Sequence, residues 1–320
     1  MTKKENYLRA LLIQDPEWVP MEFDDDVLKV IWRPIVERPA QAGKDAWGVE
    51  WDYDVDAEGG TYPAPRNYVI SDIENWKEQV SLPDLDKGDW EGVKLQADAI
   101  DRDKYVIEGN VDMGIFERTY LLMGIEEALV AYYTNQEEMY ELAGTIADYK
   151  IEFLHRFIET IKPDTIMYGD DWGTQNNLFM SPDIWRAIIK PHTQRIYDCI
   201  RSHGVIVKQH SCGRIESIFG DMIEMGVQGY NPCQPCNDLA SLKKAYGDKI
   251  CFCGGIDSQF VLTPPTKTPE DVRNEVIKRM TELKGEHGGY LCGPSHEVPY
   301  DSKKLEAMMS TIKQYGKYNR

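Results

Sequence analysis

The residues best equipped for chemistry stand in Val-Ile-Val-Lys-Gln-His-Ser-Cys-Gly, 205–213. A β-branched run ends at a glycine with His210 and Cys212 just before the stop. The two are two residues apart, so in strand geometry both side chains point to the same side. Imidazole and thiolate together are zinc donors. A buried core cysteine beside a hydrogen-bonded histidine has the same spacing, and so does a nucleophilic Cys212 with His210 as its base, although nothing marks an oxyanion hole. A catalytic zinc keeps three protein ligands and one open position. The third ligand would come from Cys-Gly-Pro-Ser-His-Glu, 292–297, as Cys292 or His296, and spacing does not choose between them.

Such residues need a scaffold, and the second half of the chain repeats one unit. Short apolar runs at 165–169, 205–213, 228–231, 250–255 and 289–291 each end in a polar tip and lead to a helical pattern. Strand, tip and helix in succession imply parallel strands with right-handed crossovers. Earlier strands are expected at 31–36 and 105–110, with a first helical pattern around Tyr7–Ile13. The expected fold is α/β, a single (β/α)8 TIM-type barrel over 1–320 with an N-terminal helical and hairpin extension. Its polar tips would share one rim. They carry Asp112, Tyr168, Asp170, Asp171, His210, Cys212, Asn231, Gln234, Cys253, Asp257, Cys292, His296 and Glu297. Trp47, Trp51 and Tyr53 alternate, so one hairpin face would present all three, either packed on the barrel rim or as an aromatic substrate wall.

Composition bounds the function. The 320 residues are 42% hydrophobic, ample for a large core, and carry a formal net charge of -18. That balance argues against nucleic acid and anionic membrane as partners. No stretch approaches a membrane span, and the N-terminus lacks the apolar core of a signal peptide, so a soluble, cytoplasmic protein is expected. Seven cysteines without a secretion signal read as reduced thiols. Cys233, Cys236, Cys251 and Cys253 have the spacing of a four-thiolate zinc, or of ordinary core cysteines. Neither a nucleoside-triphosphate loop nor a dinucleotide glycine motif is present. Asp170, Asp171 and Glu297 offer a glycosidase-like carboxylate pair, a weak signal on any barrel rim.

The succession Tyr-Gly-Asp-Asp-Trp-Gly-Thr-Gln (168–175), Ile-Lys-Pro-His (189–192), His-Ser-Cys-Gly (210–213), Gly-Tyr-Asn-Pro-Cys-Gln (229–234), Gly-Gly-Ile-Asp (254–257) and Gly-Pro-Ser-His (293–296) resembles the uroporphyrinogen decarboxylase superfamily. Asp-Ala-Trp-Gly-Val-Glu-Trp (45–51) and Ile-Ser-Asp-Ile-Glu-Asn-Trp (70–76) extend the likeness over most of the chain. Within the superfamily it is most similar to the methyltransferase I components of corrinoid-dependent O-demethylases. The resemblance implies transfer of a methyl group from a methoxylated aromatic to the Co(I) corrinoid (cobalamin) of a separate carrier protein, with zinc as Lewis acid. His210 and Cys212 match the H-x-C zinc motif of related methylcobamide:coenzyme M methyltransferases. His296, in Pro-Ser-His, stands where those have a third, cysteine ligand, with Cys292 the other candidate.

In that reading Tyr168, Asp170, Asp171 and Glu297 hydrogen-bond the substrate or deliver a proton. Trp47, Trp51, Trp172 and Phe179 hold the ring, and Asp112, Asn231, Gln234 and Asp257 line the substrate site. The arginine-rich motif of the true decarboxylases is represented only by Arg33 and Arg38, which speaks against tetrapyrrole decarboxylation. Methyl transfer to a thiol, a metal-free decarboxylase and a non-catalytic aromatic-binding barrel are the alternatives.

Overall fold

The computed structural model describes residues 1–55, 60–65, 67–296 and 299–318. Among them, ten strands form two sheets. β1 (Leu28–Trp32), β5 (Val106–Val111), β6 (Thr165–Gly169), β7 (Ile206–His210), β8 (Gly229–Asn231), β9 (Cys251–Ile256) and β10 (Tyr290–Pro294) are parallel neighbours in that order. β2 (Gly43–Lys44), β3 (Glu50–Tyr53) and β4 (Thr61–Pro63) make a small antiparallel sheet, the expected hairpin extension. No helix among the described residues is long and apolar enough to cross a membrane.

The fold is the TIM type, with a difference at one seam. Seven parallel strands form where eight were expected, and the eighth position carries a single parallel bridge, Met21 to Cys292. Cys292 N donates to Pro20 O, and Glu22 N to Cys292 O. The segment cannot lengthen into a full strand because Pro20 has no N–H to give and the chain turns at Asp24, whose carbonyl takes Val27 N and Leu28 N.

Alternation along the strands decides what faces the interior. On β6, Met167 and Gly169 line the interior cavity, whereas Ile166 and Tyr168 join the outer core beneath the helices. The floor is plugged by the first helix, Lys3–Leu11, whose Tyr7, Ala10 and Leu11 pack with Val106, Cys251, Cys253 and Leu291. Inside stands a buried charge set. Lys208 Nζ donates to Glu108 Oε2 at 2.8 Å and lies 3.9 Å from Glu22 Oε1. Burial opposes the ammonium most strongly, but Glu108 together with Tyr7, Cys253 and Glu22 outweighs it and keeps Lys208 well above the ordinary lysine range.

A second buried network ties the hairpin region to the barrel. Arg118 reaches Asp45 at 2.8 Å and Glu37 at 3.2 Å, and Lys150 reaches Glu37 at 2.7 Å. Burial pushes the Glu37 carboxyl up, yet the Lys150, Arg118 and Arg33 charges prevail and hold it at about 2. Burial pulls Lys150 down to about 8 against the attraction of Glu37, so between those values both partners are charged. Asp45 Oδ1 also accepts from Trp47 N and Val49 N, which folds residues 45–49 into a turn and keeps Trp47 off the β3 strand face.

Candidate functional site

The site is assembled by two strand tips that touch backbone to backbone. After β6 the chain runs Asp170–Gly173, and after β7 it runs Ser211–Gly213. Gly213 has φ +82°, and a Cβ there would lie 2.1 Å from the Gly173 carbonyl carbon. Only glycine permits this approach. Cys212 N donates to Asp171 Oδ1 at 2.7 Å and Trp172 N to Ser211 Oγ at 3.0 Å, locking the tips together.

The result is a three-donor cluster. His210 Nε2 lies 3.6 Å from Asp171 Oδ1 and 3.6 Å from Cys212 Sγ, and the three donor atoms all fall within 4.8 Å of one another. Tetrahedral zinc with ordinary bond lengths sets neighbouring donors about 3.3–3.6 Å apart, so this cluster fits such an ion. Asn231 orients the imidazole. Its Nδ2 donates to Glu22 Oε1 at 2.6 Å, which turns its Oδ1 to His210 Nδ1. A carboxylate only accepts, so Nδ1 carries the proton and Nε2 offers its lone pair to the cluster. Gln234 takes Gly213 N at 2.6 Å and points its amide nitrogen at Cys212 Sγ, 3.7 Å away. Burial, then the Asp171 carboxylate, pushes the Cys212 thiol far up, so the thiol is a weak nucleophile unless a cation offsets both.

The cluster opens into a cavity of about 470 Å³, a size suited to a small ligand. Asp112, Asp171, His210, Cys212, Asn231 and His296 line it, as expected of rim residues. Apolar walls come from Phe23, Val30, Trp32, Met167, Pro232 and Pro294; Trp32 is 57% exposed. Asp112 is ion-paired with Arg33. Among the described residues the lining includes Glu108, Asp112 and Asp171 but neither lysine nor arginine.

Other expected site residues fall elsewhere. Cys292 is buried in the outer core, where its sulfur accepts from Tyr290 OH at 3.2 Å; residues 290 and 292 share the face turned away from the cavity. Tyr168 is turned outward for the same reason and stacks edge-on with Tyr197. Asp170 caps the helix Ile115–Met123, accepting from Phe116 N, Glu117 N and Trp172 Nε1, and burial outweighs those bonds to push it up to about 6. Trp172 packs on Trp185, Phe179 on Phe116, and Trp47 on Tyr149, while Trp51 is buried beside Arg38; none lines the cavity.

Gln234 and Asp257 line an adjoining cavity of about 360 Å³ that shares Ser295 and His296 with the first. Asp257 caps the turn at Ser258–Leu262 by accepting from Phe260 N. His296 stands on the rim between the cavities, outside the three-donor cluster. Glu297 lies outside the described residues. Cys251 and Cys253 belong to the floor, their sulfurs 4.0 Å apart, and Cys233 to the outer core. With Cys236 they form no metal-ligand group among the described residues.

Sequence reasoning did not single out Glu22, Trp32 or Glu117. Glu117 follows the β5 tip in the first turn of a helix, the one signal available for it. Burial first, then the Asp171 and Asp170 charges, raises its carboxyl well above the ordinary range.

The family model described as "Uroporphyrinogen decarboxylase (URO-D)" matches residues 44–315. The chain belongs to the uroporphyrinogen decarboxylase family. Two curated relatives, both called "Methylcobamide:CoM methyltransferase MtaA", align over part of it. The one from Methanosarcina barkeri is 33% identical over 85 residues, 27% of this chain and 24% of the relative. The other, from Methanosarcina barkeri (strain Fusaro / DSM 804), is 27% identical over 128 residues, 40% of this chain and 36% of the relative. The aligned stretches thus span about a quarter to a third of these relatives. A solved "methyltransferase from Methanosarcina mazei" superposes with a TM-score of 0.65 at 18% identity, covering 84% of this chain and 76% of that one. That likeness bears on the fold alone.

Proposed function

We propose that this family member is a corrinoid-dependent methyltransferase that takes a methyl group from a small methoxylated aromatic and passes it to the Co(I) corrinoid of a separate carrier protein. The observation that carries the reading is the three-donor cluster at the base of an open, partly apolar cavity. Asp171, His210 and Cys212 would hold a zinc ion. Zinc bound there would supply Lewis acidity towards an ether oxygen.

The protein's own groups do the rest. Asn231 and Glu22 fix the imidazole, and the Gln234 amide stabilises negative charge on Cys212 sulfur. Trp32 and Phe23 offer an aromatic wall for the ring and leave the methyl group directed at the open mouth, where an acceptor approaches in line. A departing phenolate needs a proton. Glu117, whose carboxyl is raised well above the ordinary range by burial and then by the Asp171 and Asp170 charges, is the group we assign to hold it. His296 on the rim would meet the carrier or the substrate edge.

The names of the relatives favour a second reading, methyl transfer to a thiol. Coenzyme M is a sulfonate, however, and among the described residues the cavity lining carries neither lysine nor arginine to receive it: the nearby Lys208 and Arg33 are paired with Glu108 and Asp112. Incubation with Co(I) cobalamin and a panel of methoxyarenes tests the first reading through methylcobalamin absorbance. Zinc-containing parent protein should form methylcobalamin and His210→Ala should not. Consumption of thiol from methylcobalamin, with every methoxyarene inert, would overturn it in favour of the second.

A further inference from the structure

The outer helical layer carries another group of soft donors that the reaction above does not use. His155 lies on the helix Gln136–Ile161, Cys199 on the helix Lys190–Ser202, and His203 caps the C-terminal end of the latter. Cys199 and His203 are four residues apart, so they share a helix face. That face meets His155. His155 Nδ1 is 2.8 Å from His203 Nε2, and His155 Nε2 is 3.7 Å from Cys199 Sγ. One donor atom from each residue lies within 4.8 Å of the others.

Four physical points bear on what this cluster does. Two ring nitrogens in hydrogen-bond contact cannot both carry protons, so a bare lone pair faces the cluster whichever tautomer forms. The neighbouring cations are already committed: Arg156 to Asp86, Arg195 to Asp148, Arg201 to Asp198. Glu152 and Glu159, three residues before and four after His155 on its helix, add negative charge to the flank. Cys199 is only 7% exposed, and burial pushes its thiol up to about 11, unlike a reactive redox cysteine.

We propose that His155, Cys199 and His203 form a second metal site, for a divalent transition cation of the zinc class, which staples the two outer helices together. His155 is exposed, so its ring can turn to present one nitrogen to both partners, and solvent can fill the fourth position. Binding displaces the thiol proton of Cys199 to water and leaves a thiolate on the ion. The site shares no residue with the Asp171, His210 and Cys212 cluster and does not depend on the proposed methyl transfer.

The test is zinc per chain after dialysis of the chelator-stripped full-length protein against dilute zinc. The parent should bind one equivalent more than either Cys199→Ala or His203→Ala. Cys212→Ala should lose a different equivalent, so that Cys199→Ala/Cys212→Ala loses both. With Co(II) in place of zinc, thiolate charge-transfer absorption should persist in Cys212→Ala and lose the Cys199 contribution in Cys199→Ser. Excess zinc should raise the Tm of the parent by a few degrees more than that of Cys199→Ala. If replacing the buried Cys199 unfolds the chain, the exposed His155→Gln gives the same readout. Equal zinc stoichiometry in the parent and in the folded outer-site variants overturns the proposal.

Discussion

Asn231 presents its amide oxygen to Nδ1 of His210 while its amide nitrogen is anchored on Glu22. The relay fixes both the tautomer and the direction of Nε2, and it runs from the seam segment across the barrel to the site. Asn231→Ala should therefore weaken zinc binding by about 10–100-fold, the usual effect of losing such a partner. Competition with a chromophoric chelator measures it. An unchanged affinity in folded Asn231→Ala would mean that the imidazole needs no such support.

Gly213 sits where the two tips touch. Alanine there meets the Gly173 backbone at 2.1 Å and must adopt φ +82°, so the tips have to separate. Strain of this kind costs about 1–3 kcal/mol. Gly213→Ala should lower the urea midpoint and, by moving Cys212 away from Asp171, also lower zinc occupancy. Serine at Gly204, with φ +73° but open space around its Cβ position, is the control: it should cost stability and leave the zinc in place.

The parts of the fold set by local pattern were legible in the sequence. The strand at 165–169 and the helix start at Ser181-Pro182 are found where the apolar run and the N1 proline place them. The first strand was less legible. Its expected range, 31–36, runs into Pro34, and the actual strand, Leu28–Trp32, ends before it. Trp32, which faces the cavity, lies inside both ranges, but its side of the strand was not assigned. At the site, His210 and Cys212 were readable because the spacing is local. Asp171 could not be told from Asp170 by type, since one residue of offset makes one a cluster donor and the other a helix cap. Cys292 and Tyr168 were misplaced by naming the whole tip instead of applying the two-residue alternation that turns them outward. Glu22 joins through a contact 209 residues distant in sequence, which no local pattern encodes.

Trp32 tests the substrate wall separately from the metal. More than half its surface is free, so Trp32→Ala should leave Tm nearly unchanged. Loss of an aromatic contact should raise KM for an active methoxyarene about tenfold, with a smaller effect on kcat. A matched loss in kcat without a KM change would assign Trp32 to the approach of the acceptor.

Acid stability should depend on Glu37. Its carboxyl is held at about 2 in the folded protein against an ordinary value of 4.5, so the unfolded chain binds the proton more readily. The stabilisation is complete above about pH 4.5 and is lost as pH falls towards 2. At neutral pH, Glu37→Gln leaves Lys150 and Arg118 short of a buried counter-charge, and removing one partner of such a network costs about 3–5 kcal/mol. The variant should be much less stable than the parent at pH 7, and the gap should narrow on acidification because the parent loses the same charge. Urea unfolding at pH 7, 4 and 3 follows both. A gap that stays constant with pH would locate the acid sensitivity in other carboxylates.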